Sequence, residues 1–328
     1  MSDAASDVVV VGAGPAGCAA AVFAARDGLD VVVFDRGRSS LARCAHLSNY
    51  PGFPAGIDVG TLSDLMREQA ERAGCTVVDD LVESVDRAGD DADRPEDQSG
   101  RFVVTPQEGA PVTAARVVAA TRYDGEYLRG LDDDDALFAR RDRGEETEET
   151  FDREYADRDG TTPIDGLYVA SPSDADRQAI TAAGRGARVG KRVVADARVD
   201  DGWWPAAAEG RDWVRREAEL GDEWTDRERW VEWFDATHAD GPVDPDSERF
   251  ARVREAAVEA ERSSHVDADE EAARAAAGHR ALAAHLDPEA VVAAHGADAL
   301  LDAMDDEAVA AHAAAAGRTV ERDEEATR

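Results

Sequence analysis

Residues 7–35 read DVVVVGAGPAGCAAAVFAARDGLDVVVFD, and this stretch decides the fold. Four valines follow Asp7, a β-branched run of the length of a buried parallel strand. Gly12, Gly14 and Gly17 then form G-x-G-x-x-G and open an Ala-rich helix expected to reach about Arg26. Gly28 stops it, and Leu29–Phe34 form a second strand ending in Asp35. Each glycine has its own duty: Gly12 permits the tight turn, Gly14 lets backbone approach a pyrophosphate, and Gly17 lets helix and strand pack closely. The helix N-terminus offers N–H groups and a positive dipole end to phosphates. Asp35, eighteen residues after Gly17, stands where a carboxylate accepts hydrogen bonds from an adenosine ribose. A bare G-x-G-x-x-G also occurs as a Gly-rich packing turn; its place between two strands, with the acid present, favours dinucleotide binding.

Around this unit the chain is strongly acidic. Its 328 residues carry a net charge of −35, enough chain for two domains and a substantial core. Nucleic acid and anionic membrane are excluded as partners, because both would be repelled. The acids are spread along the chain, and Lys191 is its one lysine. Such a surface suits molar salt, where screening over about 3 Å removes self-repulsion; a GC-rich genome favouring Ala, Arg, Asp and Glu explains the same bias. Three cysteines (Cys18, Cys44, Cys75) without C-x-x-C point to a reducing cytoplasm and no disulfide framework. The N-terminal run lacks a basic leader and a cleavage site, and no apolar run is long enough to cross a bilayer.

After Asp35, Gly, Pro, Ser and Asn signals predict an ordered loop. Apolar spacing predicts a helix over Thr61–Ala73, and Gly74 ends it. Cys75–Val85, Arg101–Thr105 and Val112–Thr121 read as strands, with an acidic surface turn over Ala88–Gly100. Asp132–Asp159, charged and low in apolar content, reads as loop or mobile helix. Gly166–Ala170 returns to a buried-strand pattern, and Asp176–Asp200 reads as an Ala- and Gly-rich helix packing on the sheet. Beyond Asp200 the composition changes. All six tryptophans fall between Trp203 and Trp233, at spacings that favour helix packing over a ligand box. Asp269, Asp287 and Asp305 then open an 18-residue pseudo-repeat. Each precedes an Ala-rich run, which reads either as three capped short helices or as low-complexity drift. Five histidines lie in this last region without the i,i+4 spacing of a helical metal site, so no metal centre is expected.

Asn49-Tyr50-Pro51-Gly52-Phe53-Pro54, the following LSDLMREQAERAG, and GLYVASPSDADRQAITAAGRGARVG over 166–190 resemble the flavin domain of thioredoxin reductases. With the fingerprint, the resemblance covers about residues 7–128 and 160–198. It implies an α/β, Rossmann-like FAD-binding domain with a doubly wound sheet over 1–200, and the composition beyond it reads as an acidic helical extension over 201–328. It implies FAD as cofactor, with Ala13, Gly14, Pro15 and Ala16 beside the pyrophosphate, Asp35 at the ribose and Val82 near the adenine. Asn49 would face the isoalloxazine, and Arg177, Gln178 and Ala179 would sit beneath the ring at a helix start. Reduced flavin carries negative charge near N1 and O2, which a helix N-terminus stabilises.

The departures are equally specific. That family inserts a second dinucleotide domain, with its own fingerprint and a C-x-x-C, between the two flavin segments. Here the interval, about Leu131 to Thr162, is a short acidic stretch with neither. Ser171-Pro172 replaces the family's Gly-Asp, with Asp174 and Asp176 as nearby substitutes for the carboxylate. Ser40 stands in place of a Gln, and Arg122 in place of a Gly. Cys44, five residues before Asn49, is the candidate redox thiol, with Arg43 to lower its pKa; an ordinary small residue is the competing reading. Asp124, Glu126 and Tyr127 either shape a substrate entrance or lie in a solvated loop. The resulting expectation is an FAD-dependent oxidoreductase exchanging electrons with a redox partner protein or small molecule, compatible with a homodimer. The alternative is a non-catalytic FAD- or nucleotide-binding module whose helical region is the interaction surface.

Overall fold

The computed structural model describes residues 5–37, 39–89, 101–122, 125–143, 146–173, 177–210 and 212–315. The fingerprint unit forms as its residues demand: β1 (Ser6–Val11), α1 (Pro15–Arg26) and β2 (Val31–Phe34). Side chains alternate along the strands. Val9, Val11, Val32 and Phe34 enter the core on one face of the sheet, and Val8, Val10, Val31 and Val33 the core on the other. Strands buried on both faces are continuous in valine for this reason.

In the loop after Asp35 the described residues include a two-stranded hairpin of β3 (His46–Leu47) and β4 (Ile57–Asp58). Helix α2 (Val59–Arg72) follows, capped by Asp58, whose carboxylate accepts the Thr61 N–H at 2.9 Å. The strand expected over Cys75–Val85 divides into β5 (Thr76–Val78) and β6 (Val82–Arg87). Asp80 makes the break: its carboxylate accepts the N–H of Leu81, Glu108 and Gly109 at 2.7, 3.1 and 2.9 Å. Then come β7 (Phe102–Pro106) and β8 (Val112–Ala120).

The interval from Asp132 to Asp159 corrects the expectation of a loop or mobile helix. A one-turn helix α3 (Asp134–Leu137) leads into a β-hairpin of β9 (Phe138–Arg143) and β10 (Glu146–Phe151). Few apolar residues suffice because they meet at the hairpin's base. Leu137, Phe138 and Phe151 are buried with Tyr127, Leu128 and Leu131, and the Phe138 and Phe151 rings meet edge-on at 6.0 Å.

β11 (Leu167–Ser171) and α4 (Ala179–Asp200) complete the domain. The sheet runs β5-β2-β1-β8-β7-β6. β8 divides its second edge, pairing antiparallel with β7 at its start and parallel with β11 at its end. β5, β2, β1, β8 and β11 are therefore parallel neighbours. Helix α4 packs closely on α1: a Cβ at Gly186 would stand 2.0 Å from the Ala16 carbonyl oxygen, and one at Gly190 2.6 Å from that of Ala20.

Beyond α4 the tryptophans other than Trp213 contribute to a separate core. α5 (Pro205–Ala208), α6 (Arg227–His238) and α7 (Glu248–Ser263) gather Trp203, Trp204, Trp230, Phe234, Phe250, Val253 and Val258. Trp204 stacks on Phe250 with centroids 5.4 Å apart. A short parallel pair, β12 (Arg215–Arg216) and β13 (His265–Val266), joins this part. The chain divides into two compact units, 1–274 and 275–328, so the division read at residue 200 from composition lies inside the first. Across the last segment run α8 (Ala268–Ala284), α9 (Pro288–His295), α10 (Ala297–Asp302) and α11 (Asp306–Ala315). Capped helices are therefore present in the repeats. Asp287 and Asp305 cap as read, accepting the N–H of Glu289 and Glu307 at 2.7 and 2.9 Å. The first cap is Asp267 rather than Asp269, accepting from Glu270 at 2.8 Å. No helix among the described residues is long and apolar enough to cross a membrane.

Candidate functional site

The C-terminal ends of β1, β2, β8 and β11 converge on a cleft of about 510 Å³. Open parallel sheets place ligands at this position, outside the carboxyl ends of their strands. β1 passes into Gly12, whose φ of +107° suits glycine alone; a Cβ there would stand 2.8 Å from the Ala120 carbonyl oxygen. The Gly12 N–H donates to the Phe34 carbonyl at 2.8 Å, which ties the turn to the end of β2. Gly12, Ala13, Gly14, Pro15 and Ala16 all line the cleft. Gly17 is not among the lining residues. It serves packing instead, since a Cβ on it would meet the Gly12 oxygen at 1.8 Å.

Gly14 is the informative position. It is the N-cap of α1, extended and without a side-chain cap, so the N–H groups of the first turn are left for a ligand. A Cβ at Gly14 would meet nothing closer than Ser39 Oγ at 3.8 Å. The fold therefore tolerates a side chain at Gly14; the space that it would take belongs to the cleft.

Asp35 lines the cleft at the end of β2. Its N–H donates to the Val78 carbonyl, and its Oδ1 accepts the Gly37 N–H, both at 2.9 Å. Val82 lines the cleft, as do Gln178 and Ala179 at the start of α4. Gln178 shares a capping box with Thr181, and Asn49 Nδ2 donates to Gln178 Oε1 at 3.0 Å. Two residues 129 positions apart in the chain are thus joined at the cleft. Asn49 and Arg177 are exposed and stand outside the lining itself.

Cys44 is exposed and is not in the lining, whereas its neighbour Arg43 is. The other two cysteines are buried. Burial, with a smaller contribution from the Asp35 charge, pushes the Cys18 thiol up to about 12, and burial raises Cys75 to about 11. Both stay protonated near neutral pH. Cys18 Sγ donates to the Ala13 carbonyl at 3.2 Å, so this thiol braces the fingerprint loop. Ser171 lines the cleft where the resemblance expects a neighbouring carboxylate. Asp124, Asp174 and Asp176 lie outside the described residues. Glu126 pairs with Arg129, while Tyr127 turns inward, its hydroxyl 3.0 Å from Thr121 Oγ1 in the lining.

Arg36, Ser39 and Thr121 also line the cleft and carry no motif. They follow directly on β2 and β8, and that placement was the available signal. The buried Arg185 was hidden as one more arginine in an Ala- and Gly-rich helix. Among the described residues, no group of three or more His, Cys, Asp or Glu side chains is arranged to hold a metal ion.

Fold and cleft together define a glycine-fingerprint dinucleotide-binding domain. Residues 6–129 match the family model for pyridine nucleotide-disulphide oxidoreductase. The chain is 36% identical over 143 residues to a thioredoxin reductase of Streptomyces clavuligerus, which covers 43% of this chain and 41% of that protein. It is 45% identical over 126 residues to a bifunctional thioredoxin reductase/thioredoxin of Mycobacterium leprae, covering 38% and 25%. A solved thioredoxin reductase from Gloeobacter violaceus superposes with a TM-score of 0.46 at 17% identity, over 64% of this chain and 98% of that one. The matched segment is thioredoxin reductase-like, similar to FAD-binding oxidoreductases. The chain spans about two fifths of the length of the two Streptomyces relatives that it matches.

Proposed function

We propose that this protein is an FAD-dependent oxidoreductase whose electron donor and acceptor both come from outside the chain. The observation that carries the reading is the open cradle at Gly14, beneath an uncapped helix start and beside Asp35. The residues present suit FAD. The first turn of α1 would offer N–H groups to a pyrophosphate, Asp35 would accept from a ribose, and Gln178 and Ala179 in the lining, with Asn49 bonded to Gln178, would face the ring. Bound there, the flavin supplies the electron-accepting and electron-donating chemistry. The chain's own residues bind it, orient it and exclude water from its phosphates.

External partners are supported by what occupies the interval between the two flavin segments. A hairpin and its buried base stand there, and the chain holds neither a second G-x-G-x-x-G in that interval nor a C-x-x-C. A single fingerprint does not hold FAD and NADPH together in the thioredoxin reductase manner, and there is no dithiol to relay electrons. The second reading, a non-catalytic FAD-binding module with a helical interaction region, draws on exposed Leu282, Leu286, Leu301 and Met304 in the C-terminal unit.

The visible spectrum of the protein, purified in molar salt to suit its acidic surface, tests the proposal. Flavin bands that bleach with an added nicotinamide, small dithiol or reduced partner protein are expected, without NADPH-dependent reduction of thioredoxin by the chain alone. Gly14→Val should fold and lose flavin retention at least tenfold, because its side chain takes the pyrophosphate's place. A wild-type chain that takes up no FAD sinks the flavoprotein reading. Bound flavin that no donor reduces leaves the second reading standing.

A further inference from the structure

Arg185 lies seven residues into α4 and is 5% exposed. Its guanidinium is shared among backbone carbonyls of two other elements. Nε donates to Ala170 at 3.1 Å and Nη2 to Val169 at 3.0 Å, both on β11. Nη2 also donates to Asp157 at 3.2 Å and Nη1 to Arg158 at 3.4 Å, on the turn that brings the chain back from the hairpin. A buried guanidinium is costly unless its donors are used, and here they are used to join segments.

The turn is set into its place by further contacts. Gly160 N–H donates to the Asp157 carbonyl and Val169 N–H to that of Gly160, both at 2.9 Å. Gly160 has φ +88°, and a Cβ on it would stand 2.4 Å from Val189 of α4. The return turn is therefore held between β11 and α4, and Arg185, projecting from α4, bonds both to β11 and to the turn. The same two elements reach the cleft: β11 ends in Ser171, and α4 begins behind Gln178, which holds Asn49.

We propose that Arg185 is a positioning residue for the cofactor, a clamp that fixes the start of α4 in the cleft by tying it to β11 and the return turn. The proposal rests on the FAD reading above. Arg185 is not among the residues lining the cleft; it acts through Gln178, Ala179 and Ser171. The planar fork matters as much as the charge, because four carbonyls at different angles suit a guanidinium and not a point ammonium.

The test uses the full chain in molar salt, as wild type, Arg185→Lys and Arg185→Gln. FAD titration, circular dichroism of the bound flavin and amide hydrogen exchange are read together. FAD affinity is expected to fall about tenfold in Arg185→Gln and less in Arg185→Lys. At saturating FAD the flavin dichroism should change shape, and exchange should quicken over residues 155–162 while 248–258 stays protected. A wild-type chain that binds no FAD overturns the cofactor reading. If wild type binds FAD and Arg185→Gln matches it in affinity and dichroism, the clamp is overturned and the cofactor reading stands. Equal quickening of exchange across β1 and 248–258 shows general loss of stability and also overturns the positioning role. Should Arg185→Gln not fold, Arg185→Lys decides by the same three readings.

Discussion

The first compact unit holds two kinds of core, built on opposite rules. In the α/β part, β1 and β2 contribute valines and one Phe, and α1 meets α4 through glycines that let backbone touch backbone. In the part from Trp203 to Val258, indole and phenyl rings fill the interior, with Trp204, Phe234 and Phe250 almost fully buried. The first core is limited by how closely main chains approach. The second is limited by side-chain volume. The two should therefore fail under opposite substitutions, one when a carbon is added and the other when carbons are removed.

The sharpest break is expected at Gly186. One added methyl there meets the Ala16 carbonyl 2.0 Å away, and neither helix backbone can yield without leaving the sheet. Gly186→Ala should cost on the order of 5 kcal/mol, at the far end of single substitutions. Gly184, on the same helix, has open space around its Cβ position. Gly184→Ala should gain about 0.5–1 kcal/mol from helix propensity. Denaturant unfolding of the pair in molar salt decides the matter: similar midpoints would mean that close approach does not hold this core.

Next in size is Trp204→Ala, expected to cost about 3–4 kcal/mol through the cavity that it leaves between Phe234 and Phe250. Trp213, 64% exposed, is the control, and Trp213→Ala should stay within about 0.5 kcal/mol of wild type. A Trp204→Ala protein as stable as its Trp213→Ala counterpart would show that the aromatic cluster contributes little.

This contrast also explains what could be read in advance. Val8–Val11 and the three fingerprint glycines were legible because strand alternation and close approach each permit few residue types at fixed spacing. The hairpin of Phe138–Arg143 and Glu146–Phe151 was not. Its buried contacts sit at its base, and between Phe138 and Phe151 the chain is almost wholly charged or polar. Asp80 hid the end of a strand because its carboxylate gathers N–H groups from a segment 28 residues away. In the cleft, Asp35, Val82 and Gln178 followed from motif and resemblance. Arg36, Ser39 and Thr121 came from loop geometry after strand ends, which carries no residue signature.

A smaller effect is expected from cutting the two cores apart. Every cleft-lining residue lies at or before Ala182, so the boundary proposed near Asp200 leaves the site whole. A chain ending at Gly202 should keep FAD affinity within about threefold of the full chain. Its melting temperature should fall, because Arg26 loses its bond to Asp212 at 2.6 Å, and Ala195 of α4 loses the cover of the aromatic core. Flavin titration checks this. Loss of flavin on truncation would assign the aromatic core to the cofactor domain.

The smallest effect is the one that protons reach. His238, at the end of α6, receives the Trp204 Nε1–H on Nδ1 at 3.3 Å and lies against the Phe234 ring, with centroids 4.4 Å apart. Accepting that bond requires a neutral imidazole with its proton on Nε2. Burial lowers the His238 pKa below its ordinary 6.5, so in acid the unfolded chain takes up this proton before the folded one. Stability from this residue is thus complete above about pH 6.5 and is lost as pH falls from there toward the lower folded value. Once protonated, Nδ1 becomes a donor facing a donor, and Trp204 has no acceptor there. His238 is half-exposed, so the expected change is small, a fall in melting temperature of under about 2 °C between pH 7 and 5.5. His238→Gln retains an acceptor and does not titrate. Its melting curve over that interval, in molar salt, should lack this part of the pH dependence, with carboxylate contributions common to both proteins. Parallel curves for the two would remove His238 as the acid-sensitive point of the aromatic core.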